Sequence, residues 1–237
     1  NFLLMCAGYY NYDAGHQPDF QGRDSFQGQW VHPQFWPDDL DYAGKRVVVI
    51  GSGATAMTLV PNMALKAEKV TMVQRSPTYV VSRPSVDAFA NFLRHILPAS
   101  WAYSLVRFKN TLWQQLIYNQ TRTNPDRVAE NLLGEVEKAV GDVVDVKKHF
   151  TPTYNPWDQR LCLVPDDDLF TALRTGKAEV VTDTISHIDA TGLVTGSGER
   201  IEADIIVSAT GIELLNLGGA EFSVDSKPVN FADEWTY

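Results

Sequence analysis

The stretch Lys45–Met57, KRVVVIGSGATAM, decides the fold of this chain. It contains four consecutive aliphatic residues, Val47–Ile50, and a short β-branched run without alternation is typical of a strand buried on both faces of a parallel sheet. Gly51 and Gly53 then allow a tight turn, and Ala56 is a small residue that lets a following helix pack on the strand. The stretch therefore predicts one strand–turn–helix unit of an α/β domain.

The turn between this strand and this helix predicts a dinucleotide site. The first N–H groups of a helix have no partner within it and its dipole attracts negative charge, so a pyrophosphate can lie over the turn. The alternative is a turn that needs glycine for steric reasons alone. Pro61 should kink the helix or end it early, but it lies beyond the first turn, where the phosphates would bind. The predicted cofactor-binding residues are Gly51, Ser52, Gly53, Ala54, Thr55 and Ala56.

The residues after a second strand-like run, Lys69–Val73, indicate which dinucleotide binds. A carboxylate at that strand end would hold the ribose 2′-hydroxyl of NAD, whereas an arginine suits the 2′-phosphate of NADP. The chain has Arg75 and Ser76 there, with neither Asp nor Glu between Val70 and Ser82. These residues predict NADP as the cofactor, and a solvated arginine at a strand end is the alternative.

The composition narrows the class of protein. The chain has 237 residues, 44% hydrophobic and 21% charged, as in a soluble globular protein. Its net charge is −9 without a basic cluster, which argues against nucleic acid or an anionic membrane as a partner. No apolar run is long enough for a transmembrane helix. Cys6 and Cys162 are too few and too far apart for a disulfide framework or a zinc site, so we predict no metal and a cytoplasmic setting.

Both ends of the sequence favour a piece of a longer protein. The apolar run Asn1–Gly8 has neither an initiator methionine nor the charged start of a signal peptide, and the chain closes at Glu234–Tyr237 without a terminating signal. We therefore expect further sequence on either side of this chain.

Two similar runs bracket the nucleotide region and predict the domain organisation. Phe2–Ala7 and Asp204–Ala209 both read as buried strands that lead into a glycine turn. This echo predicts an α/β fold in which a Rossmann-like NADP-binding domain is inserted into a second α/β domain. We expect the second domain and a linker at 1–42, the NADP-binding domain at 43–203 and the return into the second domain at 204–237.

Residues 85–141 have the apolar spacing of helices rather than strands. Asn124 followed by Pro125 is typical of a helix N-cap and first helical position, and Gly141 of a helix end. The region predicts a helical insertion of two or three helices. Four aromatic residues are expected in its core rather than in a ligand site: Trp101, Tyr103, Trp113 and Tyr118.

A pattern just before the glycine turn is more specific than the turn itself. Its residues are Phe26, Gly28, His32, Trp36 and Pro37. In this pattern the chain resembles the type I Baeyer–Villiger monooxygenases, relatives of the flavin-containing monooxygenases, and it is most similar to the ethionamide-activating type of mycobacteria. The resemblance implies an NADPH- and FAD-dependent enzyme. Such an enzyme inserts one oxygen atom of O₂ into ketones, or oxidises sulfur or nitrogen centres, through a peroxyflavin.

The resemblance continues through FTPTYNPWDQRLCLVP and the Thr210 segment, over nearly the whole chain. It implies a catalytic role for Arg160 as a permanent cation beside a developing negative charge. The residues alone favour an arginine paired with Asp158 or Asp166. Thr210 is implied to lie at the cofactor site. Gln159 stands where many members of the family have a lysine that binds the 2′-phosphate. Arg75 is therefore left as the main cation for that phosphate.

The resemblance also assigns roles to its own fingerprint, the pattern from Phe26 to Pro37. His32 is implied to belong to an interdomain linker that couples cofactor binding to domain motion, and a satisfied structural histidine is the alternative. The second α/β domain is implied to bind FAD.

One part of the family's sequence pattern is missing. The FAD-binding GxGxxG does not occur, since Gly196–Gly198 lies in a predicted hairpin turn with no helix after it. The chain is therefore expected to bind NADP(H) and to turn nothing over alone, with FAD bound by the full-length protein. The implied partners are O₂ and a ketone, sulfide or thioamide-like molecule, and the sequence leaves the oligomeric state open. Two alternatives remain: an N- or S-oxidising flavin monooxygenase without Baeyer–Villiger activity, and a non-catalytic NADP-binding module.

Overall fold

The chain forms two compact units in the computed structural model, which describes residue 2 and residues 4–230. The larger unit is Asp19–Ala209, and the smaller combines the described residues before Asp19 with those from Thr210 onward. The strands are β1 (Tyr10–Gly15), β2 (Gln29–Val31), β3 (Arg46–Ile50), β4 (Lys69–Gln74), β5 (Tyr79–Arg83), β6 (Leu161–Pro165), β7 (Ala178–Thr182), β8 (Ile185–Asp189), β9 (Gly192–Thr195), β10 (Arg200–Glu202), β11 (Ile205–Ser208), β12 (Ile212–Leu214), β13 (Phe222–Val224) and β14 (Lys227–Val229). The α-helices are α1 (Ala54–Ala64), α2 (Ala88–Ile96), α3 (Ala99–Thr123), α4 (Pro125–Val140), α5 (Val146–His149) and α6 (Asp168–Arg174).

A five-stranded parallel sheet forms the centre of the larger unit. Its strand order is β2-β11-β3-β4-β7, and every neighbouring pair is parallel. Val47, Val48 and Val49 of β3 are each at most 1% exposed. The apolar run before the glycine turn is therefore a strand buried on both faces, as the sequence predicts.

The two faces of this sheet pack against different layers. On one face, Val47 and Val49 join a cluster with side chains of α1 and α6, such as Met63 and Phe170. On the other face, Val48 joins a cluster with side chains of the β8–β10 meander. The meander has the order β10-β9-β8 with antiparallel pairs, as expected for a hairpin region. The helices on one face and the meander on the other fix the position of the carboxyl end of β3, where the glycine-rich turn begins.

The helical insertion is present, since α2, α3 and α4 all lie within residues 85–141. Asn124 is the N-cap of α4 and Pro125 its first residue, as predicted. The expectation of an aromatic core within the insertion is wrong. The four aromatic residues named for that core are between 51% and 66% exposed, and only Ala102 and Thr121 of α3 are buried. The two buried residues of α3 are small, and its larger side chains lie outside.

The strand predicted at Phe2–Ala7 is not formed by any described residue of that stretch, and those residues are exposed. The smaller unit instead uses β1, which pairs antiparallel with β12, and a β13–β14 hairpin. An apolar run becomes a strand only where a neighbouring strand accepts its hydrogen bonds. Here that pairing begins only at Tyr10.

The predicted domain boundaries at 42/43 and 203/204 stay predictions, and the compact units of the structure divide at 18/19 and 209/210. Both β2 and β11 belong to the parallel sheet, with Ile205 of β11 opposite Val47 of β3. Asp204 strengthens this attachment, since its carboxylate accepts hydrogen bonds from the backbone N–H and the guanidinium of Arg46. The apolar run Asp204–Ala209 therefore contributes β11 to the sheet of the larger unit, between β2 and β3.

Pro61 does not end the first helix early, since α1 runs from Ala54 to Ala64 with Pro61 inside it. Pro61 is one of the buried residues of this helix. The missing N–H falls in the third turn of α1, so the free N–H groups of the first turn are unaffected.

Candidate functional site

The site is built around the glycine-rich turn, residues 51–53, which joins β3 to α1. Gly51 has φ of +135°, and its N–H donates to Val73 O at 2.8 Å. A Cβ added there would lie 2.4 Å from Ala209 O. Gly51 is therefore required by the backbone itself, which is the steric role the sequence left open for this glycine.

Gly53 differs from Gly51 because nothing lies within 4 Å of an added Cβ. It is the N-cap of α1, has ordinary extended geometry, and makes no side-chain cap hydrogen bond. Ala54 and Thr55 behind it are exposed, whereas Ala56 is fully buried against the sheet. The first turn of α1 thus presents unpaired N–H groups and a positive dipole end to open space, which fits a phosphate group.

Ser52 is the buried centre of the turn and contacts two other segments. Its hydroxyl donates to Ser76 O at 3.3 Å and accepts from Arg160 Nη2 at 3.4 Å. Its carbonyl accepts a weak hydrogen bond from Cys162 Sγ at 3.8 Å. The turn after β4, the residue before β6 and the glycine-rich turn are therefore brought together, although they are far apart in sequence.

Arg75 and Ser76 directly follow β4, and both are exposed. The preceding residue, Gln74, is buried and donates to His149 O and Thr182 Oγ1, which fixes the strand end. Within the described part of the chain, the Arg75 guanidinium forms no ion pair, so its charge is available to an anion next to the turn.

Arg160 also has no carboxylate partner among the described residues. The two candidates are used elsewhere, since Asp158 pairs with Arg122 at 2.8 Å and Asp166 accepts from Ser85. The paired-arginine alternative is therefore wrong for both carboxylates. Instead, the structure places this exposed guanidinium against Ser52, at the edge of the glycine-rich turn.

Two members of the fingerprint, Phe26 and Gly28, have packing roles. Phe26 packs against the cluster formed by the sheet and the meander. A Cβ on Gly28 would lie 2.4 Å from Asp204 O and 2.5 Å from Cζ of the Phe26 ring. Only a glycine fits in this gap, so the pair fixes how the segment before β2 meets the start of β11.

The remaining fingerprint residues surround a short 3-10 turn at Pro33–Phe35. His32 is 7% exposed and caps that turn, its Nδ1 accepting from Gln34 N–H at 3.2 Å. Trp36 packs against the α1 side of the core, and Pro37 is exposed. His32 therefore has the structural role that the sequence left open, and its proposed part in domain coupling stays a prediction.

Thr210 lies in the smaller unit, where its hydroxyl donates to His16 O at 2.6 Å. The glycine-rich turn belongs to the larger unit. The place of Thr210 at the cofactor site therefore stays a prediction.

The electrostatics of the site come from its arginines rather than from titrating groups. Cys162 contacts Ser52 of the turn, and burial of its thiol raises the pKa of Cys162. A thiol with a raised pKa stays protonated and is a poor nucleophile. The described residues contain no cluster of three or more His, Cys, Asp or Glu side chains placed to hold a metal ion. The arrangement is suited to binding an anion.

Sequence reasoning missed two residues that support this site, Thr78 and Tyr154. Thr78 is 1% exposed, and both hydroxyls lie near the carbonyl of Arg160. The only available signal was the position of Tyr154 in the segment before Arg160, where hydroxyl, proline and aromatic residues alternate. Such a signal does not tell which backbone group a hydroxyl will reach.

The fold and the glycine-rich turn define a Rossmann-like α/β protein, and sequence comparison then places it. The chain belongs to the flavin-binding monooxygenase-like family, which matches residues 1–215. Among the helices of the described residues, none combines the length and apolar character needed to cross a membrane.

Two curated relatives show the level of similarity. The chain is 51% identical over 238 residues to the probable FAD-binding monooxygenase AlmA of Acinetobacter baylyi, covering 100% of this chain and 48% of AlmA. It is 51% identical over 237 residues to the FAD-containing monooxygenase EthA of Mycobacterium tuberculosis, with the same coverage of 100% and 48%. The chain thus spans about half the length of the curated relatives it matches.

Solved structures with this fold include enzymes that carry both cofactors. A complex of OTEMO with FAD and NADP matches with a TM-score of 0.71 at 19% identity, over 97% of this chain and 50% of that one. An oxidised steroid monooxygenase bound to NADP matches with a TM-score of 0.64 at 23% identity, over 84% and 45%. At these identities the likeness concerns the fold, and it confirms the predicted α/β class.

Proposed function

We propose that the larger unit binds NADPH for a flavin-dependent monooxygenase that oxidises ketone or sulfur-containing small molecules with O₂. The observation that carries this proposal is the open first turn of α1 at Gly53, flanked by two arginines that have no carboxylate partner among the described residues. Support comes from the names of the curated relatives, which are FAD-containing or FAD-binding monooxygenases. Similar solved structures, among them complexes with NADP, agree with it.

Each residue at the turn would have a defined task. The N–H groups of Gly53, Ala54 and Thr55 would donate to the pyrophosphate, since no side chain caps them. Arg75 with Ser76 would hold the 2′-phosphate, because a planar guanidinium can donate two parallel hydrogen bonds to it. Gly51 would contribute shape alone, as its missing side chain faces Ala209 rather than open space.

Arg160 would add a second fixed positive charge at the same turn. Its guanidinium is always protonated and it already contacts Ser52, so it can stabilise negative charge without a proton transfer. Bound FAD would supply the redox chemistry with O₂. We assign the smaller unit to the FAD-binding domain of the full-length protein, as the fingerprint resemblance implies.

The cofactor proposal is tested by Arg75→Ala in the full-length protein. Losing a charged hydrogen-bond donor to the 2′-phosphate should weaken NADPH binding by about 10- to 100-fold, with NADH binding changed less than about twofold. Titration of both nucleotides gives the ratio. Arg127→Ala is the matched control, because Arg127 is an exposed arginine on α4, outside the turn. An equal loss for both nucleotides would show that Arg75 does not recognise the phosphate.

The oxidation proposal needs a separate assay with two substrates. A cyclic ketone and a thioether should be offered to the full-length protein with NADPH and O₂. We expect an ester or lactone from the ketone and a sulfoxide from the thioether. Sulfoxide alone would favour the heteroatom-oxidising alternative, and NADPH binding without any flavin in the purified protein would favour a non-catalytic module.

A further inference from the structure

Two hydroxyl groups outside the predicted site converge on the backbone of Arg160. Arg160 O accepts from Tyr154 OH at 2.8 Å and from Thr78 Oγ1 at 3.1 Å. The two hydroxyl oxygens are 3.0 Å apart, so each is also within hydrogen-bonding distance of the other. Two hydroxyls carry two protons, so at most two of these three contacts are hydrogen bonds at any moment. The carbonyl of Arg160 can accept from either hydroxyl or from both.

This hydroxyl pair lies at the start of a parallel two-stranded pairing. Thr78 precedes β5, Arg160 precedes β6, and the register begins with Tyr79 opposite Leu161. Tyr154 is held in place by Tyr79, whose ring it meets edge-on with centroids 5.6 Å apart. The position of the Arg160 backbone is therefore set by groups that are themselves fixed.

The Arg160 side chain has much weaker support. Its guanidinium is exposed, and its contact with Ser52 Oγ is long, at 3.4 Å. A long side chain with one weak contact loses rotamer entropy when it binds an anion. Fixing the backbone reduces the volume that the guanidinium can sample, and this keeps the charge next to the glycine-rich turn.

We propose that Thr78 and Tyr154 are positioning residues for cofactor binding: they hold the Arg160 backbone so that its guanidinium stays at the glycine-rich turn. The inference deepens the proposed function and rests on it. It gives both hydroxyls a role that acts through Arg160, without contact to the cofactor.

The test compares hydroxyl removal at these positions with matched removals elsewhere, in the full-length protein. Tyr154→Phe and Thr78→Val should each raise the dissociation constant for NADP⁺ about fivefold, the usual effect of one lost hydrogen bond. Thr78→Ser keeps the hydroxyl and should restore binding. The controls are Tyr118→Phe, an exposed tyrosine, and Thr121→Val, a buried threonine whose hydroxyl donates to Tyr118 O. Neither control should change NADP⁺ binding.

A double-mutant cycle separates positioning from a general structural effect. In an Arg160→Ala background, Tyr154→Phe should leave the dissociation constant for NADP⁺ unchanged, because the group it positions is gone. A fivefold loss that persists without the guanidinium would overturn the inference, as would a Tyr154→Phe variant that binds like the wild type. A wild-type protein that fails to bind NADP⁺ overturns the proposed function, and the inference falls with it.

Discussion

The parallel sheet and the helical insertion were both predicted from apolar periodicity, yet they differ in what surrounds them. Residues of β3 and β11 such as Val49 and Ile206 are fully buried, because α-helices cover one face of the sheet and the meander the other. In α3, a helix of 25 residues, only two residues are buried. Periodicity therefore predicts the local conformation of a segment, whereas burial depends on whether another element covers it.

The exposed side of α3 shows this difference most clearly. Its large apolar residues recur every three or four positions, which places them on one face of the helix. Each of them is between 48% and 68% exposed: Trp101, Leu105, Phe108, Leu112 and Leu116. The same spacing in a helix packed on the sheet would have been core.

The largest expected effect concerns the end of the sheet strand β3. Gly51→Val would place a Cβ 2.4 Å from Ala209 O at a φ of +135°, so strain and overlap should together cost about 4 kcal/mol or more of unfolding free energy. Urea denaturation followed by circular dichroism measures it. Gly53→Ala is the matched control, with open space around its Cβ, and should cost less than about 1 kcal/mol. Similar losses for both glycines would contradict the steric role of Gly51.

A second pair of variants compares the two regions directly. Ile206→Ala removes a fully buried side chain and should lower the unfolding free energy by about 3 kcal/mol. Leu112→Ala removes a side chain that is 48% exposed and should cost less than about 1 kcal/mol. Denaturation curves of this chain give both values. A Leu112→Ala loss as large as that of Ile206→Ala would show that α3 is packed as tightly as the sheet.

The smallest expected effect is the pH dependence of the contact between Arg46 and Asp204. The hydrogen bonds from the Arg46 side chain, and then its backbone N–H, hold the pKa of Asp204 below its usual value. Since the folded-state pKa is the lower one, this stabilisation is present above about pH 4 and is lost as the pH falls through the folded-state pKa. The carboxylate is 40% exposed, so the effect should stay below about 1 kcal/mol.

Asp204→Asn provides the check on that pH dependence. Unfolding free energies measured between neutral and acidic pH should fall less steeply in the variant than in the wild type. Asp87→Asn, at the paired carboxylate of the helical insertion, is the comparison. If the unfolding free energy of Asp204→Asn falls towards acidic pH as steeply as that of the wild type, the contact between Arg46 and Asp204 contributes nothing to stability.

Local patterns made much of the fold predictable. The glycine-rich turn, the N-cap at Asn124 and the hairpin turn at Gly196–Gly198 depend on neighbouring residues, and all three were found. The strand expected at Phe2–Ala7 failed because its formation depends on a partner strand, which a single run cannot specify. The attachment of β11 to the sheet also depends on a distant partner, since the Asp204 carboxylate accepts a hydrogen bond from Arg46 across more than half of the chain.

The candidate site was predictable in its charges and less so in its supports. Arg75, Ser76 and the turn residues follow from known chemistry of phosphate recognition. The contact between Arg160 and Ser52 depends on how β6 lies beside β5. The hydrogen bond from the Thr78 hydroxyl to Arg160 O depends on the same pairing, so the sequence alone does not predict it. Long-range contacts of this kind are set by the whole fold.

The gap beneath Phe26 also has a consequence for redesign of this protein. Gly28 leaves no room for even one methyl group, because the ring of Phe26 and the carbonyl of Asp204 occupy that space. Arg75 and Ser76, in contrast, are exposed, and the Arg75 guanidinium forms no ion pair with any described residue. A library aimed at cofactor preference can therefore vary Arg75 and Ser76, which directly follow β4, while every member keeps Gly28.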